Sequence, residues 1–213
     1  MIGDLKILLA DDHAVVRSGL KQILADEFRR ATFGEASNAH EALTLLGKEK
    51  WDVVLLDITM QGRSGLDVLR EIKKLRPRLP VLVLSMHPEN QFAVRALKKG
   101  ASGYITKESA PEELVGAINK VIAGGCYVSA ALAETLAFRL SSDTQKPPQE
   151  LLSDREYDVL RLIGSGKLAG EIARELSLSV KTISTYRARI LEKMGMKNNA
   201  QLMRYAMEHE LVE

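Results

Sequence analysis

Cysteine is almost missing from the chain: one residue, Cys126, in 213. No internal disulfide can form, nothing nearby supplies metal-ligand spacing, and Cys126 reads as a small hydrophobe or an idle thiol. An excess of one charge is missing too. Thirty Lys and Arg face 28 Asp and Glu, and the net charge of +2 is too small to announce a nucleic-acid partner by itself. No apolar run is long enough to span a bilayer. The N-terminus reaches Asp4 and Asp11-Asp12 before a signal peptide's apolar core could form. The expectation is a cytoplasmic protein with no membrane partner. What remains is ordinary: 46% hydrophobic and 27% charged residues, in a length that suits one or two domains.

The informative stretch is Val53-Val54-Leu55-Leu56-Asp57-Ile58-Thr59-Met60. Four consecutive aliphatic residues read as a strand buried on both faces, as in a parallel sheet. Asp57 stands at its end, where open α/β folds place their binding crevices. An earlier stretch, Lys6 to Asp12, has the same form, an apolar run ending in acid. If the two strands are neighbours, three carboxylates converge. Such a cluster needs raised pKa values or a cation, and Mg²⁺, a hard oxygen-seeking ion, fits best.

Along the first 125 residues strand and helix patterns alternate five times. Helical patterns cover Ala14 to about Phe28, a stretch capped by Ser37 or Asn38 with Glu41 as capping-box partner, and a stretch stopping before Pro77. Two more end at Gly100 and at Gly124-Gly125. Strand patterns cover Ala31 to Ala36, Val81 to Ser85 and Gly103 to Lys107. Alternation with short connections predicts a parallel sheet covered by helices on both faces. Four strand ends deliver Asp11-Asp12, Asp57, Ser85 and Lys107. Any one of these could be a cap or a solvated turn; together they form a set with shared chemistry.

A short helical pattern from Ser129 to Arg139 leads into Ser141 to Glu150, a Ser-, Gln- and Pro-bearing stretch without apolar periodicity that reads as linker. Beyond Leu151 all patterns are helical. Ser153 with Glu156 forms a capping box, and helices are predicted over Ala169 to Leu176, Val180 to Met194 and Ala200 to His209. The boundaries expected are therefore 1–125, a linker with a short helix over 126–150, and 151–213. The last segment balances ten Lys and Arg against nine Asp and Glu, yet from Ser177 to Tyr205 six cations face Glu192 alone. Ile183, Ile190 and Met194 form the buried stripe of the third helix, with Tyr186 beside it. Lys181, Ser184, Thr185, Ala188, Arg189 and Glu192 lie opposite. Small residues allow close approach to base edges, and flanking cations suit phosphates. Lys181, Arg187, Arg189 and Lys193 are the expected phosphate contacts. The final helix offers Leu202, Met203, Ala206 and Met207 either to a partner chain or to its own core. Gly164-Ser165-Gly166-Lys167 imitates a phosphate-binding loop, but it follows a helix and lacks the Ser or Thr that must come next.

Over nearly its whole length the chain resembles two-component response regulators of the NarL/FixJ type, a receiver domain joined to a LuxR-type helix-turn-helix. The likeness rests on Asp11-Asp12-His13, Asp57 with Met60 and Gly62, Ser85, Gly103-Tyr104 and Lys107. It continues in Leu152 to Glu156, Glu171-Ile172-Ala173, Ser179 to Ile183, Arg187, Ile190 and Lys193-Met194. The resemblance implies a flavodoxin-like five-stranded parallel sheet followed by a small all-α domain. It implies a phosphoacceptor at Asp57, and Mg²⁺ held by Asp11, Asp12, Asp57 and the Thr59 backbone carbonyl. Ser85 and Lys107 then meet the phosphoryl oxygens, and Tyr104 follows Ser85. The implied partners are a cognate sensor histidine kinase, double-stranded promoter DNA and a second copy of the chain once phosphorylated. DNA contacts fall on Lys181, Thr182, Ser184, Thr185, Arg187, Ala188, Arg189 and Lys193. The departures are Gln61 and Glu108 where proline is common, Leu168-Ala169-Gly170 for a more polar run, and Tyr186 for histidine. The chain reads as a regulator, not an enzyme. A haloacid-dehalogenase phosphatase needs a second acid where Thr59 stands, and a receiver unable to take phosphate would lack groups present here.

Overall fold

The computed structural model describes residues 4–60, 64–141 and 147–212. Gln61, Gly62 and the 142–146 portion of the expected linker lie outside these. The chain divides into two compact units, Met1–Ser141 and Ser142–Glu213.

The first unit is a five-stranded parallel sheet of β1 (Lys6–Ala10), β2 (Thr32–Ala36), β3 (Val53–Asp57), β4 (Val81–Ser85) and β5 (Gly103–Thr106), in the order β2-β1-β3-β4-β5. β3 and β4 are buried at every position, which is why they read as unbroken aliphatic runs. Helices α1 (Ala14–Glu27), α2 (Ala39–Lys48), α3 (Gly65–Leu75) and α4 (Glu89–Lys98) fill the four crossovers, and α5 (Ala110–Ile122) follows the last strand. Because side chains alternate along a strand, Ile7, Leu9, Val53, Leu55, Leu82 and Leu84 share one face and pack with Leu20 and Leu24 of α1 and Leu114, Ile118 and Val121 of α5. Asn38 caps α2 by accepting the Glu41 N–H at 2.9 Å, while the Glu41 carboxylate accepts the Ser37 N–H at 2.8 Å.

The short helix read as part of the linker, α6 (Ala130–Ser141), belongs to this first unit. Tyr127 bridges to Gly103 at the outer edge of β5, Leu132 is buried, and α6 packs on α4. The sequence hides this because Leu132 is the one buried side chain among the described residues 130–137.

The second unit holds a 3₁₀ turn (Pro148–Leu151) and α7 (Asp154–Gly164), α8 (Ala169–Glu175), α9 (Val180–Met194) and α10 (Asn199–Glu208). The predicted capping box forms at Ser153 and Glu156, and Ile183, Ile190 and Met194 are buried as the helical spacing requires. No helix among the described residues is long and apolar enough to cross a membrane.

Candidate functional site

The parallel order carries the C-terminal ends of β1, β3, β4 and β5 to one edge of the sheet. Asp11, Asp57 and Ser85 are buried there, and Lys107 reaches in from beyond β5. The Lys107 ammonium bridges two acids, standing 2.7 Å from Asp57 Oδ2 and 2.7 Å from Asp11 Oδ2. Burial pushes the pKa of Lys107 down, but the charges and hydrogen bonds of Asp57 and Asp11 outweigh it and hold the value above the ordinary lysine range. The other Asp57 oxygen, Oδ1, accepts the Thr59 N–H at 2.8 Å and the Thr59 hydroxyl at 2.6 Å. At Gly65 the first turn of α3 meets the end of β3 so closely that a Cβ would lie 2.3 Å from Ile58 Cα.

Two further residues border the cluster: Arg17, which the sequence did not single out, and His13, which entered only as part of the Asp11-Asp12-His13 likeness. Arg17 Nη1 donates to the Asp11 carbonyl at 2.6 Å, fixing the backbone that aims Asp11 and Asp12. His13 Nδ1 lies 2.8 Å from Asp12 Oδ1 and 3.3 Å from Asp11 Oδ1. The signal for Arg17 was weak, since a polar residue six positions after an acid has no fixed meaning until the helix direction is known.

Ligand atoms of Asp11, Asp12, His13 and Asp57 lie within 4.8 Å of one another. Three carboxylates thus gather where Lys107 bridges two of them, and the surplus negative charge sits where Asp11 and Asp57 have almost no water to screen it. Oxygen donors in negative surplus fit Mg²⁺; the imidazole of His13 suits it less and serves better as a hydrogen-bonding brace.

On the same edge the Ser85 hydroxyl accepts the His87 N–H at 3.0 Å. Tyr104 is fully buried, and its hydroxyl donates to the His87 carbonyl at 2.8 Å. The aromatic expected to follow Ser85 therefore already lies inward, tied through His87 to the segment that leads into α4. All described peptides are trans, including the one joining Lys107 and Glu108.

In the second unit Lys181, Ser184, Thr185, Ala188 and Arg189 are exposed on α9, and Thr182 and Arg187 are half-buried. A groove of about 280 Å³ is lined by Ser179, Lys181, Thr182, Thr185, Tyr186 and Arg189. The hydroxyls of Ser184 and Thr185 donate to the Val180 and Lys181 carbonyls, each at 3.0 Å. Their protons are thereby committed, and their free lone pairs suit them to accept hydrogen bonds.

Lys193, one of the expected phosphate contacts, has a carboxylate partner within its own unit. Its ammonium lies 2.6 Å from Oε2 of Glu156, whose side chain is only 3% exposed. The expected phosphate anchor is engaged inside its own unit. Arg187 is partly engaged as well, donating to the Asn199 side chain. The apolar stripe of α10 divides: Leu202 and Ala206 are buried in the unit's core, and Met207 alone stays well exposed, at 64%.

The model of the response regulator receiver domain matches residues 7–119, and that of bacterial regulatory proteins of the luxR family matches residues 150–206. The chain belongs to the response regulator family. The chain is 33% identical over 208 residues to response regulator UvrY of Escherichia coli K12, covering 97% of this chain and 95% of that protein. It is 36% identical over 210 residues to response regulator GacA of Pseudomonas aeruginosa, covering 98% of each. Among solved structures, RcsB of Salmonella enterica serovar Typhimurium bound to promoter rprA, with phosphomimetic BeF3-, superposes with TM-score 0.65 at 26% identity. That match covers 95% of this chain and 98% of RcsB. This response regulator is of the NarL/FixJ type, and its function is phosphorylation-dependent regulation of transcription.

Proposed function

We propose that Asp57 receives a phosphoryl group from a sensor histidine kinase and that the second unit then binds promoter DNA as a dimer through α9. The observation that carries this reading is the Lys107 ammonium bridging Asp57 and Asp11 at the carboxyl edge of the sheet. A carboxylate can attack phosphorus only where incoming negative charge is neutralised. Lys107 is placed to do so beside Asp57 Oδ2. Asp11, Asp12 and Asp57 would hold Mg²⁺, with the Thr59 carbonyl as a further ligand. When bound, that ion supplies charge neutralisation for the phosphoryl oxygens. Thr59 orients Asp57 by occupying Oδ1. Ser85 has a hydroxyl hydrogen available for a phosphoryl oxygen, and any movement it makes pulls on His87 and hence on Tyr104.

On DNA, Lys181 and Arg189 anchor phosphates from the rim of the α9 groove, and Arg187 contributes where its contact with Asn199 yields. Ser184 and Thr185 accept from base amino groups, such as adenine N6 or cytosine N4, and Ala188 or the Thr185 methyl meets a thymine methyl. Thr182 serves chiefly as a support. Its N–H and hydroxyl both meet the Ser179 hydroxyl, at 3.1 and 2.8 Å, and so build the first turn of the helix. One recognition helix reads only a few base pairs, which favours two chains per site. Met207 and the half-buried Met203 are what α10 leaves for a second copy.

The test is affinity for a selected site and for random duplex across a salt series, with phosphorylated protein. Lys181→Ala is expected to weaken both duplexes alike and to lower the salt slope by about one unit. Thr185→Ala is expected to cost about 1–3 kcal/mol on the selected site and little on random DNA. A Thr185→Ala variant that loses equally on both, or a Lys181→Ala variant with an unchanged salt slope, would reverse these assignments.

A further inference from the structure

At the edge of the sheet opposite the carboxylate cluster, the residues leading into β3 and β4 surround a cleft of about 630 Å³. That is the size of a small-molecule site. Leu46 and Leu79 form a buried floor, and Leu75 presents an apolar wall with 59% of its surface exposed. Trp51, the chain's sole tryptophan, also lines the cleft. Its indole is held in place: Nε1 donates to the Leu45 carbonyl at 3.2 Å, and the ring lies on Gly34, where a Cβ would stand 2.2 Å from Cη2. A fixed aromatic wall needs no ordering when a guest arrives, which keeps the entropic cost of binding low.

The charges of this cleft are not balanced within it. Cations outnumber acids along its lining, Lys50, Arg76 and Arg78 against Glu49 and Asp52; Glu49 Oε2 is paired with the Lys6 ammonium at 3.1 Å, and Asp52 Oδ2 accepts the Lys6 backbone N–H at 2.7 Å. Arg76 Nη2 donates to the Leu46 carbonyl at 3.4 Å, a long contact that ties α3 to α2. Lys50 and Arg78 stand exposed on the rim and pair with no carboxylate among the described residues. An apolar slot with an aromatic wall and unmatched cations at its mouth suits a guest with a flat apolar body and one negative head.

We propose that this cleft is a binding site for a small aromatic carboxylate, stacked beside Trp51 with its carboxylate between Lys50 and Arg78. The assignment is independent of phosphorylation at Asp57. Such a guest would clamp the starts of β3 and β4, the strands that carry Asp57 and Ser85 at their far ends.

A single tryptophan gives a single indole N–H resonance, so the site can be read directly in the full chain. The probe is 2-naphthoate, and its uncharged counterpart 2-naphthylmethanol is titrated in parallel while the ¹⁵N–¹H indole signal is followed. A saturable shift with naphthoate is expected, with affinity about tenfold weaker for the alcohol, as for loss of a charge-assisted contact. Lys50→Ala/Arg78→Ala should weaken naphthoate about tenfold and bring it level with the alcohol. Both side chains are exposed, and the ligand-free indole signal reports whether the cleft is intact. Asp57→Asn should bind naphthoate as wild type does. The proposal is overturned if the indole signal stays unmoved at millimolar naphthoate, if acid and alcohol bind alike, or if the double variant binds naphthoate as tightly as wild type.

Discussion

Incubated with Mg²⁺ and an acyl phosphate, the chain should gain one phosphoryl group by intact mass, and Asp57→Asn should gain none. An Asp57 carboxylate oxygen forms the new bond to phosphorus as the bond from phosphorus to the donor's carboxylate oxygen breaks, and the freed acid leaves. Asparagine keeps the shape and can still meet Thr59, but its amide is no nucleophile. Its neutral head also leaves Lys107 with Asp11 alone. Lys107→Ala should still take up phosphate, because Asp57 remains, but phosphorylation should change its affinity for DNA far less than in wild type. Without the ammonium the phosphoryl group loses the partner that would tether it to the β5 end. Equal uptake by wild type and Asp57→Asn would place the acceptor elsewhere. A Lys107→Ala protein that responds in full would show that the bridge to Asp11 and Asp57 has no part in switching.

Much of this site was legible because it is built from strand ends. A parallel sheet brings the residue after each buried run to the same edge, so β1, β3, β4 and β5 could be read as four deliveries to one place without knowing any distance. The fold was legible for the same reason: β3 and β4 are buried on both faces and show it in composition. What stayed hidden depends on contacts between distant residues. Glu156 and Lys193 are 37 positions apart, and a lysine on a recognition helix reads as a phosphate contact until its neighbour in space is known. Arg17 bonds a backbone carbonyl, which leaves no mark in sequence. α6 looked like linker because Leu132, backbone contacts of Tyr127 and the hydrogen bond from Ser129 to Glu89 of α4, which attach it, leave no apolar period in the sequence. In α10 the apolar spacing was real, yet spacing cannot say whether Leu202 and Ala206 meet a partner or their own core.

The Glu156–Lys193 pair separates folding from DNA contact on the same helix. Burial raises the pKa of Glu156, but Lys193 and the N–H and hydroxyl of Ser153 outweigh it and leave the value below the ordinary glutamate range. Its carboxylate serves both the capping box of α7 and the tie to α9. Removing Lys193 leaves a nearly buried carboxylate with only the Ser153 donors, a loss worth several kcal/mol in a dry interior. Because Lys193 is itself 39% exposed, water and salt reduce that to about 1–2 kcal/mol. In the full chain, hydrogen exchange of peptides from α7 and α9 should then quicken about tenfold in Lys193→Ala, while receiver peptides keep their rates. The salt slope of DNA binding should stay as in wild type, in contrast to the loss of about one unit expected for Lys181→Ala. Acid should remove the difference. A depressed folded pKa contributes stability that is complete above the unfolded value and is lost as pH falls through the folded one, since the unfolded chain binds the proton first. Wild type and Lys193→Ala should therefore converge as pH drops below the ordinary carboxylate range. A Lys193→Ala protein with unchanged exchange and a reduced salt slope would return Lys193 to the phosphates.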